Sequence, residues 1–292
     1  MYNLFAFIFH NSFLFRGIML FLLGLITGSF LNVIIYRLPI ILNHRTHNEC
    51  VNFLGVDKQL YLEKFSLFFP FSHCTACKVR VPFWSNIPLI GYFLLNGRCY
   101  NCKTKISIRY PLVELMTAVL FVLSGYISND IVVLPGLLLF TSITLCLIMI
   151  DYNSLLLPDE LTIFLLWLGL LFNLHGIFAG SLINAVIGAV MGYMLLWLIY
   201  WGFKLITGRD GMGYGDFKFL AAILAWVGYQ GLVPILLISS LTGIVYFVIA
   251  KLSGKLKIIE HTGHIPFGPF LGLAGLIAIL GSKYFNLSIF YV

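Results

Sequence analysis

Apolar residues run along this chain in long blocks rather than in strict alternation, which predicts helices and not half-buried strands. A helix that crosses a bilayer needs about 20 predominantly apolar residues. Eight blocks approach that length: about 17–36, 111–128, 131–150, 156–178, 182–205, 217–230, 232–250 and 267–282. The sixth and eighth are short or rich in glycine. Residues 1–15 are apolar but broken by His10, Asn11 and Ser12. A signal peptide is the rival reading there. Arg16 follows the apolar stretch instead of leading it, and no small-residue cleavage site is evident, so the segment reads as an interfacial lead-in to the first span.

Composition moves the picture in one direction. The chain has 292 residues, 60% hydrophobic and 10% charged, with a mean hydropathy of +0.99. Soluble domains carry about 25% charged residues. The expected class is an all-α polytopic integral membrane protein with about eight transmembrane helices. The formal net charge of +7 does not imply a nucleic-acid partner. Lys and Arg gather in loops that stay in the cytoplasm, and segment 37–109 holds ten of them. With eight spans, the connections near 203–218 and 251–264 fall on the same side. They add Lys204, Arg209, Lys218, Lys251, Lys255 and Lys257, against only Arg16 and Lys283 opposite. Both termini are therefore expected outside and the large loop in the cytoplasm. The predicted division is 1–37 for the lead-in and first helix, 38–109 for a cytoplasmic cysteine domain, and 110–292 for a membrane-embedded domain of about seven helices.

That loop carries "CTAC" (Cys74, Cys77) and "CYNC" (Cys99, Cys102), with 21 residues between the pairs. Two such turns, each presenting two thiolates, match a closed four-cysteine zinc site. Two disulfides or free thiols are the alternatives, and a reducing cytoplasm disfavours disulfides. A closed site has no open position for water, so it is structural. The soluble part is small and would bury little core without metal. A short stretch of strand is expected around the turns, with interfacial contact through Trp84, Pro88 and Phe93. Cys146 lies in an apolar span and reads as packing, while Cys50 stands alone.

Carboxylates in or beside spans are costly and are functional candidates. Glu114, Asp151, Asp159, Glu160 and Asp216 qualify, all near one membrane level in this topology. Two neighbouring carboxylates cannot both ionise easily, so a pair shares a proton. One member then activates water while the other donates to a carbonyl oxygen. Helix capping and an ion or proton path remain as alternatives. Asp159, in "LPDEL", is the best cap candidate. The glycines of "GMGYGDFKFL" (Gly211, Gly213, Gly215) would let the chain turn sharply and let a substrate backbone approach Asp216.

"GMGYGDFKFLAA" resembles the GxGD signature of the type IV prepilin peptidases, bacterial inner-membrane aspartic proteases. "GSFLNVIIYRLP" (28–39), residues 73–118 with both cysteine pairs, "IDYNSLLLPDELT" (150–162) and "IPFGPFLGLAG" (265–275) are similar to further blocks of that family, in order. The resemblance implies that Asp151 and Asp216 form the catalytic pair, with Asp159 at a non-catalytic family position. It implies cleavage of the basic leader of prepilins or type II secretion pseudopilins at the cytoplasmic membrane face. It further implies N-methylation of the new terminal residue with S-adenosylmethionine as methyl donor, since members with a four-cysteine domain are usually bifunctional. Nothing in the residues themselves shows methyl transfer, and no glycine-rich cofactor loop is present. A proton-coupled transporter or channel and a non-enzymatic assembly factor are the rival classes. Transporters often show inverted repeats and midplane sites, and no convincing internal repeat is visible here.

Weaker signals remain. Gly24-x-x-x-Gly28, with Ser29 and Asn32, reads as close helix packing or as part of a site. Glu114 needs a partner, which Arg37 or Arg109 could supply, and is a candidate for the second activity. His261 and His264 read as loop histidines. Pro266 and Pro269 predict irregular backbone near the aspartate pair. Lys218 reads as a snorkelling anchor or as a cation tuning Asp216.

Overall fold

The computed structural model describes residues 13–55, 65–128, 130, 132–253 and 266–281. His261, His264 and most of the expected lead-in lie outside those residues. Each of the eight apolar blocks falls on a helix. They are α1 (Phe13–Leu54), α3 (Arg109–Ile127), α4 (Val133–Ser154), α5 (Asp159–Phe172), α6 (Leu182–Thr207), α7 (Tyr214–Val227), α8 (Leu232–Leu252) and α9 (Gly268–Gly281). A five-residue helix, α2 (Ile90–Leu94), lies in the polar segment. Five of these helices are long and apolar enough to cross a membrane, and α9 is a shorter apolar helix. The chain is a multi-pass helical membrane protein. Helices α5, α7 and α9 have 14 residues each. At 1.5 Å per residue that is roughly 21 Å, short of a hydrocarbon core of about 30 Å.

Residues 1–129 and 130–292 form two compact units. In the first, α1 does not stop at Arg37 but runs on through Pro39 to Leu54. It packs on α3 through the glycine pair. A Cβ on Gly24 would stand 2.5 Å from Ala118 Cα, and one on Gly28 would stand 2.7 Å from Glu114 Cα. The backbones approach this closely because no side chain intervenes, the small-xxx-small mode of helix packing in lipid. Asn32 extends the same contact by donating from Nδ2 to the Tyr110 carbonyl at 3.0 Å.

In the second unit α7 is the central element. Every residue from Asp216 to Val227 except Lys218 is buried, as expected for a helix apolar on all sides. Trp226 anchors it. Its indole Nε1 donates to the Leu165 carbonyl at 2.9 Å, and its ring packs edge-on against Phe140 and at a tilt against Phe172 and Phe178. Asn173 is fully buried yet satisfied. It donates to the Gly169 and Ala225 carbonyls and accepts from the Phe178 and Ala179 amides. Glycines bring the neighbours close. A Cβ on Gly188 would meet the Leu224 carbonyl at 2.8 Å, and one on Gly272 would meet Ile148 Cγ1 at 2.5 Å. The glycine-rich character that made α9 a weak span by sequence is what lets it pack against α4, α7 and α8.

Gly24→Leu is expected to lower stability by about 1–3 kcal/mol through overpacking against backbone. Thermal unfolding of the detergent-solubilised protein would register it as a lower Tm. An exposed helical glycine such as Gly202, with open space around it, should tolerate Ala.

Candidate active site and metal centre

Asp151 lies in the last turn of α4, and Asp216 in the first turn of α7. They are 5% and 7% exposed. The side chains are near enough for the charge of Asp151 to act on Asp216. The structure thus brings together two of the acids singled out by sequence, from helices joined through two intervening helices.

Each carboxylate meets a helix N-terminus, where unsatisfied amides favour negative charge. Asp216 belongs to the first turn of α7 itself. Asp151, at the unfavourable end of its own helix, reaches across to α9, where Gly268 N donates to its Oδ2 at 3.0 Å. The segment around Pro266 and Pro269 therefore does border the pair. Gly268 must be glycine, because a Cβ there would stand 2.6 Å from Asp151 Oδ2. Leu157, in the link between α4 and α5, packs against both the start of α9 and the start of α7. It lies 3.3 Å from the Cβ position of Gly268 and 2.8 Å from that of Gly215.

The glycines before Asp216 do not serve a sharp turn. None of Gly211, Gly213 and Gly215 has positive φ, and Gly213 is extended at φ −80° and ψ 146°. Gly211 and Gly215 are instead packing positions, against Phe203 and Leu157. Gly213 alone borders open space. The nearest atom to a Cβ there would be Asp216 Oδ2, at 3.8 Å.

Asp159 separates from this pair. Its side chain is 54% exposed and makes a two-oxygen ion pair with Lys218 Nζ at 2.8 Å. The N-cap of α5 is Pro158, with no side-chain cap bond, so Asp159 does not cap. Lys218 is occupied by Asp159 rather than by Asp216.

Sequence reasoning passed over a second polar group beside the site. Tyr200 Oη donates to Asp210 Oδ1 at 2.6 Å, while Lys204 Nζ lies 2.9 Å from that oxygen and 3.1 Å from Tyr200 Oη. These bonds hold the Asp210 carboxyl below the usual range. They tie the loop that leads into Gly211–Asp216 to the end of α6. The available signal was a Tyr and a Lys one helical turn apart, with an acid six residues later.

In the first unit the four cysteines converge. Their Sγ atoms all lie within 4.8 Å of one another. Across the two turns, Cys74 and Cys102 stand 3.7 Å apart and Cys77 and Cys99 4.0 Å apart. Four thiolates at 2.3 Å from one tetrahedral metal would stand about 3.8 Å apart, so the residues fit such an ion. Both turns are built alike. Cys74 N bonds Val79 O and Lys78 N bonds Cys74 O, and likewise Cys99 N bonds Thr104 O and Lys103 N bonds Cys99 O. Lys78 and Lys103 both take positive φ, 58° and 59°. The repeat missed in the sequence is this pair of turns. Instead of the expected strand, the described residues show only two isolated bridges, His73 with Arg80 and Arg98 with Lys105, because each turn closes too soon for a ladder. Thr104 hydrogen bonds lower the Cys102 thiol to about 6, which favours the thiolate a metal needs.

Glu114 is buried at the cytoplasm-proximal turn of α3 in the expected topology. It accepts from Leu89 N at 2.8 Å, rather than pairing with Arg37 or Arg109. Arg37 donates to the carbonyls of Ser66, Leu67 and Pro70.

Comparison with known proteins gives a consistent result. The bacterial peptidase A24 N-terminal domain matches residues 22–127, and the type IV leader peptidase family matches residues 138–248. The chain is similar to the prepilin leader peptidase/N-methyltransferase of Aeromonas salmonicida, 45% identical over 90% of this chain and 89% of the relative. It is 45% identical to the protein of that name from Pseudomonas aeruginosa, over 89% of this chain and 88% of the relative. The Dickeya chrysanthemi protein of that name is 43% identical, over 89% and 91%. No solved structure matches the chain.

Metal analysis of the purified protein is expected to give one ion per chain. Cys77→Ser and Cys99→Ser should each reduce that content at least tenfold.

Proposed function

This chain belongs to the type IV leader peptidase family, peptidase A24, and from that premise we propose that it cleaves the leader of type IV prepilins or pseudopilins and then N-methylates the new terminus, with Asp151 and Asp216 as the catalytic pair. The observation that carries the assignment of residues is the joint burial of these two carboxylates at helix ends, while Asp159 is exposed and ion-paired. Relatives of similar length named for both activities support the bifunctional reading.

In the hydrolytic step one carboxylate is ionised and the other protonated, because two charges side by side in an apolar surround are costly. The ionised member takes a proton from water, whose oxygen attacks the scissile carbonyl. The protonated member donates to the carbonyl oxygen as it gains charge. The Gly268 amide holds Asp151 in position. The open side of Gly213 leaves room for an extended substrate backbone beside Asp216.

The finer topology belongs to the same proposal. Eight membrane-embedded helices would place both termini outside and segment 38–109 in the cytoplasm of a bacterial inner membrane, with 110–292 as the peptidase domain. Cys74, Cys77, Cys99 and Cys102 would hold a structural zinc, supported by their mutual spacing. When bound, the ion cross-links the two turns and supplies no open position for chemistry. A proton-path reading is disfavoured by the acids' position at helix ends. An assembly factor without catalysis would keep its function in both Asp→Asn variants.

Membranes carrying each variant, mixed with a prepilin, test the pair. Asp151→Asn and Asp216→Asn should each lower cleavage at least a thousandfold at equal protein level, and Asp159→Asn should still cut. Mass spectrometry of the wild-type product should show the mass of one added methylene at its new N-terminus. Cleavage by both Asp151→Asn and Asp216→Asn would sink the aspartic mechanism. Gly268→Ala should lower cleavage by at least tenfold, since its Cβ displaces the Asp151 carboxylate, whereas Gly202→Ala should not.

A further inference from the structure

We propose that the segment between α1 and α3 docks on the bilayer itself, with α2 and the loop at residues 66–71 seated in an anionic phospholipid leaflet beside the two spans that flank them. This surface is separate from the catalytic pair. What it requires is that α1 and α3 cross the membrane, as their length and composition allow. Two side chains fix its depth. Leu89 N, just before α2, donates to Glu114 at 2.8 Å. Glu114 follows Arg109, the first residue of α3, by five positions, roughly 7 Å along the axis. Its Cα lies 2.7 Å from the Cβ position of Gly28, well inside the first apolar block. The start of α2 is therefore pinned below the level at which α3 enters the bilayer. Arg37, the first charge after that block, donates to the carbonyls of Ser66, Leu67 and Pro70, which sets Phe68, Phe69 and Phe71 at the headgroup level.

What covers these segments follows from their depth. Ile90, Phe93 and Leu94, at i, i+3 and i+4, share one face of α2. They are 54%, 69% and 65% exposed, while Gly91 packs inward on Ser85. Leu112, Leu115 and Met116, within one turn of Glu114 on α3, are exposed as well, and lipid is what covers the apolar side of a span. Backbone that meets hydrocarbon must have its amides satisfied. Here Leu89 N bonds Glu114, and the amides of Ile90, Gly91 and Leu95 bond the carbonyls of Pro88, Ile87 and Gly91. Interfacial elements bury an apolar face about 5–10 Å into the boundary between headgroups and acyl chains, and the depth set by Glu114 agrees with that.

Charge selects the kind of leaflet. Between residues 65 and 113 there are six Lys or Arg and no Asp or Glu. Of the six, Lys78, Arg80, Arg98, Lys103 and Lys105 are exposed. A surface of anionic lipid attracts such a segment within a Debye length. Arg80 lies over the exposed Phe71 ring, its Cζ 4.3 Å from the centroid, so a guanidinium suited to phosphate rides on a ring at the headgroup level. Trp84 and Tyr100, in edge contact with centroids 5.9 Å apart, add the amphipathic aromatics that gather at membrane interfaces. An apolar protein groove would cover the rings and leave the cations unanswered. A leaflet of anionic phospholipid answers both.

The test uses the full-length protein in nanodiscs of phosphatidylcholine, with or without phosphatidylglycerol. A phospholipid carrying a diazirine near its glycerol is photoactivated, and the cross-links are mapped by mass spectrometry. Label on residues 90–94 in both lipids is expected, with labelling of 66–71 at least threefold higher when phosphatidylglycerol is present. Phe93→Ser with Leu94→Ser should cut the label on 90–94 at least fivefold. Arg80→Gln with Lys105→Gln should remove the effect of phosphatidylglycerol on 66–71. Metal content and Tm check each variant's fold, and the wild-type map decides the matter if a variant does not fold. No label on 90–94 in wild type would overturn the docking. Label there that disappears when a prepilin is added would overturn it too, and would make the face a peptide groove. Labelling of 66–71 that ignores phosphatidylglycerol would overturn the anionic leaflet. Leader cleavage in the same nanodiscs keeps this separate from the catalytic reading, since a protein that cuts while 90–94 stays unlabelled refutes this surface alone.

Discussion

An apolar bundle tolerates a carboxylate only where donors or helix ends meet it, and in this chain that constraint falls on Asp151. Its helix ends there, so its own backbone offers carbonyls rather than amides. The donor comes instead from Gly268, 117 positions away, at the start of α9. The bond fixes the end of α4 against the beginning of α9 and sets the Asp151 carboxylate beside α7. Asp216 then enters the same space on the first turn of the most enclosed helix in the second unit. Without the α4–α9 contact, the buried Asp151 carboxylate would face apolar side chains alone, at a cost of several kcal/mol for the unpaired charge.

Glycine is the second device, and it acts through proximity more than through conformational freedom. Gly268, Gly215, Gly188 and Gly272 each stand where a methyl group would collide with a carboxylate, a leucine, a carbonyl or an isoleucine. Gly24 and Gly28 do the same in the first unit. Lipid gives helices no hydrophobic reason to associate, so close backbone approach and interhelical hydrogen bonds must supply the attraction. The buried network around Asn173 and the indole bond of Trp226 supply more of it.

The first unit is organised differently because it carries its polar surface outside helices. Two matching turns of the "CxxCK" type present four sulfurs to one point. The chain between them folds into the short helix α2 and presents the Leu89 amide to Glu114. Sequence spacing announced the sulfur cluster, since each turn is local. The Leu89–Glu114 contact was not legible, because a main-chain amide leaves no mark in a sequence. An arginine was the visible partner for that acid, yet Arg37 is spent on three carbonyls.

The eight helices on the apolar blocks, the cysteine turns and the Gly24–Gly28 seam could be read from the residues, for one physical reason. Apolar block length, chelate spacing and helical periodicity are local properties. The sequence also marked Asp151, Asp159 and Asp216 as the acids worth attention. Which two would meet was decided by tertiary structure. Asp159 lies just eight positions after Asp151, but it begins a new helix that faces outward to Lys218, while Asp151 ends a helix that faces inward. The role of the glycines was decided there too. A glycine in sequence signals freedom to turn, and only its neighbours in space, such as the Asp151 carboxylate at Gly268, show that it was needed for room.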